Sequence, residues 1–164
     1  MELKPPDEAA MQQVGAALAA CLPDLRRHHL LLALQGELGT GKTTLARGLL
    51  RALGVEGPIH SPTFSLVEPY ETRAGTIHHL DLYRLRDGQA ELDALGYRDY
   101  RGLPGLVIVE WPEQGGAAVG PADLRIRLEH LPVGRLLRLE AETNVGREWL
   151  DALRSERIWL KNLN

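Results

Sequence analysis

Eight residues set the strongest limit on what this chain can become: Gly36-Glu37-Leu38-Gly39-Thr40-Gly41-Lys42-Thr43 fits the pattern G-x-x-x-x-G-K-[ST]. The pattern carries chemistry only where a loop leaves a strand and enters a helix, and the flanking residues supply that setting. His29 to Gln35 is an apolar run of strand length, and Thr43 to Leu53 has helical spacing before Gly54 stops it. Glycines let the backbone wrap tightly, so that successive amide N–H groups converge on a phosphate. The positive end of the following helix adds to them. Lys42 brings a point charge for the β- and γ-phosphates, and Thr43 a hydroxyl for Mg²⁺. Glu37, Leu38, Gly39, Thr40, Gly41, Lys42, Thr43 and Thr44 are therefore expected to surround a nucleotide's phosphates.

Such a loop needs a second, metal-facing carboxylate from a neighbouring strand. Leu106-Val107-Ile108-Val109-Glu110 is four apolar residues and an acid, with Glu110 at the strand's carboxyl end, where open α/β sheets bind their ligands. Alone it would pass for a strand ending in a solvated Glu; the upstream loop makes Glu110 the metal-facing acid. Trp111 beside it reads first as a packing residue, with a nucleotide or partner contact as the alternative. Ser61-Pro62-Thr63-Phe64 follows the first loop's helix, where nucleotide switches place a Thr that senses the γ-phosphate and where, equally, a Pro-initiated turn leads into a strand. In Ile77-His78-His79-Leu80-Asp81 a two-residue period puts Ile77, His79 and Asp81 on one face. Asp81 has the position to orient water or bind metal, and equally to cap a helix or pair with Arg84. His78 and His79 read as ordinary strand residues, since no ligand cluster surrounds them in the sequence.

The rest of the chain frames these segments. At 164 residues it is expected to form one domain over 1–164. Hydrophobic residues at 44% suffice for a core without staples, and the lone cysteine, Cys21, excludes an internal disulfide framework. A net charge of −3 and 5% aromatics argue against a broad basic nucleic-acid face or a stacking platform. The longest apolar run, Leu30 to Leu34, is far short of the ~18 residues of a membrane span. Met1 to Asp7 lacks a signal peptide's order of charges. A cytoplasmic protein without membrane attachment is the expectation. The periodicity predicts a helix over 7–21 capped by Asp7, extended segments at Thr63–Tyr70 and Thr76–Asp81 about a turn at Arg73-Ala74-Gly75, and a short helix at Gln89–Leu95. A late hairpin turns its Ile126, Leu128, Leu137 and Leu139 inward, and a terminal helix runs from Gly146 to Arg157. The fold class is α/β: a mixed, mainly parallel central sheet flanked by helices, with a late antiparallel hairpin.

Selection of guanine by Asn-Lys-x-Asp is absent, because Asn144, Asn162 and Asn164 are not followed by Lys. A small-molecule kinase would use Arg84, Arg86, Arg98 or Arg101 in a closing lid, but no acceptor-binding pattern accompanies them. From Pro6 to about Glu140 the chain resembles the TsaE family, the ATPases of bacterial tRNA threonylcarbamoyladenosine synthesis. The resemblance rests on Gly36–Thr44, Ser61-Pro62-Thr63-Phe64-Ser65-Leu66-Val67-Glu68-Pro69-Tyr70, His79-Leu80-Asp81-Leu82-Tyr83-Arg84-Leu85 and Val109-Glu110-Trp111-Pro112-Glu113, in that order. It implies ATP with Mg²⁺ held by Thr43 and Glu110, a switch at Thr63, and a catalytic or metal-directed Asp81. It also implies association with TsaD and TsaB, with tRNA reached through that complex. Met11 stands where the family often has a Thr near the nucleotide, so a thioether takes the place of a hydroxyl beside the base. Two classes of function follow: an ATPase whose hydrolysis resets a modification complex, or a nucleotide-responsive binding module without significant turnover.

Overall fold

The computed structural model describes residues 1–156. In chain order the elements are β1 (Glu2–Leu3), α1 (Glu8–Ala20), β2 (His29–Gly36), α2 (Lys42–Ala52), β3 (Val67–Thr72), β4 (Gly75–Asp81), α3 (Gly88–Ala94) and α4 (Tyr97–Gly102). Then follow β5 (Gly105–Glu110), α5 (Pro112–Gly115), a 3-10 turn (Gly116–Val119), β6 (Leu124–His130), β7 (Arg135–Ala141) and α6 (Asn144–Ser155). The strands form one sheet in the order β1-β7-β6-β2-β5-β4-β3. Its centre, β6-β2-β5-β4, is parallel, and antiparallel pairs close both sides.

The two faces of the sheet are sorted by residue parity. Leu30, Leu32 and Leu34 of β2 pack with Leu106 and Ile108 of β5 against α1, α2 and α6. Leu31 and Ala33, with Val107 and Val109, pack toward α3, α4 and the 3-10 turn through Leu92, Tyr97 and Val119. Every residue of β5 is buried, which is what a central parallel strand covered on both faces requires. Side-chain caps start the long outer helices: Asp7 accepts from Ala10 N at 2.8 Å, and Thr143 accepts from Gly146 N at 3.0 Å. Trp149 of α6 is fully buried and donates its indole N–H to Leu18 O, tying the last helix to the first.

Helices α1 and α2 meet almost backbone to backbone. A methyl group on Gly48 would stand 2.3 Å from Gln12 O, and one on Gly15 would stand 2.3 Å from Leu45 O. This close approach brings Met11 of α1 up to Gly41 in the glycine-rich loop that precedes α2.

Several expectations are revised. Residues 63–66 form a turn rather than an extended segment, and the strand starts only at Val67. Leu66 N donates to Pro62 O at 2.7 Å and Leu66 takes φ +64°, a closed loop that a strand cannot contain. The last helix begins two residues early, at Asn144, because Thr143 caps it; its expected end at Arg157 lies outside the described residues. The two-residue β1, the short α4 and α5, and the 3-10 turn were not expected; each is too short for a periodic signal. Among the described residues no helix is long and apolar enough to cross a membrane.

The glycine contact can be tested by Gly48→Ala. Helix propensity alone favours alanine by about 1 kcal/mol. The clash with Gln12 O should outweigh this, leaving a net loss of about 1–3 kcal/mol in denaturant unfolding. A stabilised variant would show that α1 and α2 can part freely.

Candidate functional site

Strand register builds the site. Glu110 is aligned with Leu34 of β2 on one side and with Asp81 of β4 on the other. The end of β4, the end of β5 and the loop after β2 therefore share one level at the carboxyl edge of the parallel block, where α/β sheets bind ligands.

The loop is shaped as a cradle. Gly41, at φ +99°, takes a left-handed conformation and turns the chain into α2. No side chain caps α2, so its first backbone N–H groups have no helical partner and open toward the cleft. Thr40 is buried and closes the loop by donating its hydroxyl to Glu37 O at 2.9 Å. Lys42 donates to Gly36 O at 2.7 Å and Glu37 O at 2.9 Å, with its ammonium 3.8 Å from the centre of the Trp111 ring. Burial pushes the Lys42 ammonium below its ordinary pKa, against the opposing pull of Glu110, Glu113 and Asp81.

Glu110 is held from two sides. Thr43 Oγ1 donates to Oε2 at 3.0 Å, and His79 Nε2 lies 2.8 Å from Oε1. A hydroxyl and a carboxylate oxygen side by side at the base of a cleft are hard donors of the kind Mg²⁺ takes when a substrate's phosphates and waters complete its shell. Among the described residues no group of three or more His, Cys, Asp or Glu side chains could hold a metal by itself.

Asp81 ties the segment around Thr63 to the sheet. Its Oδ2 accepts from Thr63 Oγ1 at 2.7 Å and from the Ser61 hydroxyl, while Oδ1 accepts from Tyr83 N at 2.9 Å. The alternative pairing with Arg84 does not form; that guanidinium lies over the exposed ring of Phe64. Lys42, Thr43, Thr63, Asp81, Glu110 and Trp111 together line a cleft of about 360 Å³, with Leu38 at its mouth. Glu37 contributes its carbonyl to the loop and leaves its side chain exposed. Across Gly41 lies a second pocket, of about 250 Å³, lined by Pro5, Met11, Thr44 and Arg135 among others.

The expected residues thus fall into two connected sets about the loop, with Met11 on one side, Asp81, Thr63 and Glu110 on the other, and Thr44 lining both. Three partners went unread in the sequence. Ser61 shares Asp81 with Thr63, and Arg135 donates to Gly39 O at 3.2 Å from β7. His79 is not an ordinary strand residue, because it touches Glu110. Its place on the face of Ile77 and Asp81, beside the strand that carries Glu110, was the available signal. Trp111, read first as packing, also stands under the Lys42 charge.

A family model described as "Threonylcarbamoyl adenosine biosynthesis protein TsaE" matches residues 5–136. A protein of Haemophilus influenzae named tRNA threonylcarbamoyladenosine biosynthesis protein TsaE is 38% identical over 148 residues, covering 90% of this chain and 93% of that protein. Proteins of the same name from Synechocystis and Streptomyces coelicolor are 43% and 36% identical, over 70% and 87% of this chain and 71% and 95% of their own lengths. Among solved structures, Bacillus subtilis YdiB superposes with a TM-score of 0.76 at 22% identity, covering 94% of each chain, a likeness of fold.

Asp81→Ala removes the acceptor of Ser61, Thr63 and Tyr83 N while leaving the apolar core intact. Amide exchange at Leu66 and Tyr83 should accelerate by about tenfold or more, the worth of roughly one hydrogen bond to a charged group, with little change at β2 and β5. Unchanged exchange at both amides would mean that other contacts hold the segment.

Proposed function

This chain belongs to the TsaE family, and we propose on that footing that it is a Mg²⁺-dependent ATPase acting in threonylcarbamoyladenosine modification of tRNA. The observation that carries the reading is the Thr43–Glu110 pair set beside Lys42 at the uncapped start of α2. Bound Mg²⁺ would be held by Thr43 and Glu110 and would supply charge neutralisation at the β- and γ-phosphates.

The chain's own groups do the remaining work. The amides from Gly39 to Thr44 receive the phosphate oxygens, and Lys42 leaves the carbonyls of Gly36 and Glu37 to meet them. Met11 and Arg135 flank the pocket that suits the base, where the Met11 thioether packs against an aromatic ring. Asp81 and Thr63 face the same cleft as Lys42 and are placed to orient a water.

Asp81 already accepts three hydrogen bonds, so activating a water requires an exchange of partners in the Ser61–Leu66 segment. That favours slow turnover by the isolated chain and acceleration by partners that reorder the segment. In the proposed role these are TsaD and TsaB, with hydrolysis resetting their complex and tRNA engaged through them. The same internal bonds also favour a second reading, a nucleotide-responsive module in which binding and release without turnover are the function. Family membership weighs against a small-molecule kinase.

Single-turnover hydrolysis with and without TsaD and TsaB decides between these readings. A higher rate in the complex is expected, equal measurable rates overturn partner activation, and no turnover in either case favours the binding module. Lys42→Ala should weaken ATP binding by about 10- to 100-fold in calorimetry, the worth of a hydrogen-bonded charge. Unchanged affinity in a folded variant would remove the loop from the nucleotide site.

A further inference from the structure

We propose that His79 is the positioning residue for Glu110: its Nε2–H fixes the carboxylate rotation that turns Oε2 toward Thr43 and a Mg²⁺ ion. The proposal rests on the functional reading above for the cation, and on geometry for the residue.

Glu110 is 2% exposed and the His79 side chain 0% exposed. A carboxylate so deeply placed has little water to satisfy it, so its two oxygens depend on protein donors. Thr43 serves Oε2 and His79 serves Oε1. With His79 removed, Oε1 loses this donor and the carboxylate is free to rotate out of the orientation that presents Oε2 beside Thr43. That rotation withdraws the oxygen aimed at the cation.

Among the described residues Nδ1 of the buried imidazole has no hydrogen-bond partner, and the ring's single polar contact is Glu110. A bare lone pair at Nδ1 is less costly to bury than an orphaned N–H, which places the ring hydrogen on Nε2, pointing at the carboxylate. Register fixes the backbone that carries the ring: His79 is aligned with Ile108 on β5 and with Glu68 on β3. An apolar side chain would fill this position without leaving Nδ1 unsatisfied. The imidazole's distinct contribution is the hydrogen bond to Glu110. Groups that orient a metal-binding carboxylate in this way typically change metal affinity by about 10–100-fold when removed.

The test compares wild type, His79→Gln and His79→Leu. Glutamine can present an amide N–H near the place of Nε2, whereas leucine fills volume without a donor. Binding of a non-hydrolysable ATP analogue is measured by calorimetry across a Mg²⁺ series and in EDTA. His79→Leu should need about 10–100-fold more Mg²⁺ for its half-maximal effect, and His79→Gln should return to within a few-fold of wild type. Affinity in EDTA should be alike in all three.

A wild-type Mg²⁺ requirement in folded His79→Leu overturns the proposal. Equal weakening with and without Mg²⁺ also overturns it, because that is the mark of a purely structural role. Wild-type binding that ignores Mg²⁺ overturns the functional reading itself, a failure visible before any variant is compared. The wild-type imidazole Nε2–H resonance, assigned by its loss in His79→Gln, supplies a readout independent of the leucine variant's folding. It should shift when Mg²⁺ is added to the analogue-bound protein, and a resonance that does not move counts against the proposal.

Discussion

The hydrogen bond between Thr43 and Glu110 joins residues 67 apart in sequence, and most of the architecture is a condition for it. Thr43 stands in the first turn of α2, whose position follows from the strand–loop–helix passage out of β2. Glu110 stands at the end of β5 on the face shared with Leu106 and Ile108, the face that α1 and α2 cover. Slipping β5 by one residue against β2 would present Val109 or Trp111 beneath α2 and turn the acid to the other side. The apolar parity of β2 and β5 therefore sets the chemistry as well as the core. The same parity applied to β4 puts Ile77 in that core and brings His79 and Asp81 to the level of Glu110.

Gathering Lys42, His79, Asp81 and Glu110 at a buried edge would be costly if any of them stood alone. Instead each has internal partners. Lys42 rests on two carbonyls and an aromatic face, Asp81 holds two hydroxyls and an amide, and Glu110 holds Thr43 and His79. Such a network is stable when satisfied and sensitive when partly satisfied. For the proposed ATPase this makes nucleotide affinity a difference, since phosphate must replace the bonds that Lys42 makes with its own loop. Burial, which lowers the Lys42 pKa, adds to the gain when an anion takes up its charge.

What could be read in advance follows from where the signal lies. The strand–loop–helix passage at 36–43 is legible because its glycines, Lys42 and Thr43 form one compact pattern within eight residues. Strand β5 is legible because burial on both faces leaves an unbroken apolar run, and α1 because its period and its Asp7 cap agree. The turn at 63–66 was legible only as one alternative at Pro62, since Thr63 to Tyr70 contains β-forming residues and the turn is closed by Leu66 N reaching Pro62 O, a backbone bond. His79 and Ser61 were missed for a related reason. Their roles come from residues 31 and 20 positions away, brought close only by strand pairing and by the return of the loop. Arg135 reaches Gly39 from 96 residues away, and nothing local distinguishes it from the other arginines of the late hairpin.

The turn that Asp81 holds also carries Phe64, which is 86% exposed with Arg84 lying over its ring. Leu38 and Tyr83, both exposed, border the same cleft, and Tyr83 packs at an angle on Trp111, whose ring also receives the Lys42 ammonium. For the proposed ATPase, two chains of contact join the proposed phosphate site to the surface: Lys42 through Trp111 to Tyr83, and Asp81 through Thr63 to its chain neighbour Phe64. In the proposed cycle, a partner that recognises the rearranged rim must by linkage tighten ATP binding by the same factor that ATP tightens docking. The shared groups supply the physical basis for that coupling. In that reading the exposed side chains of Leu38, Phe64 and Tyr83 are the rim of the proposed phosphate site.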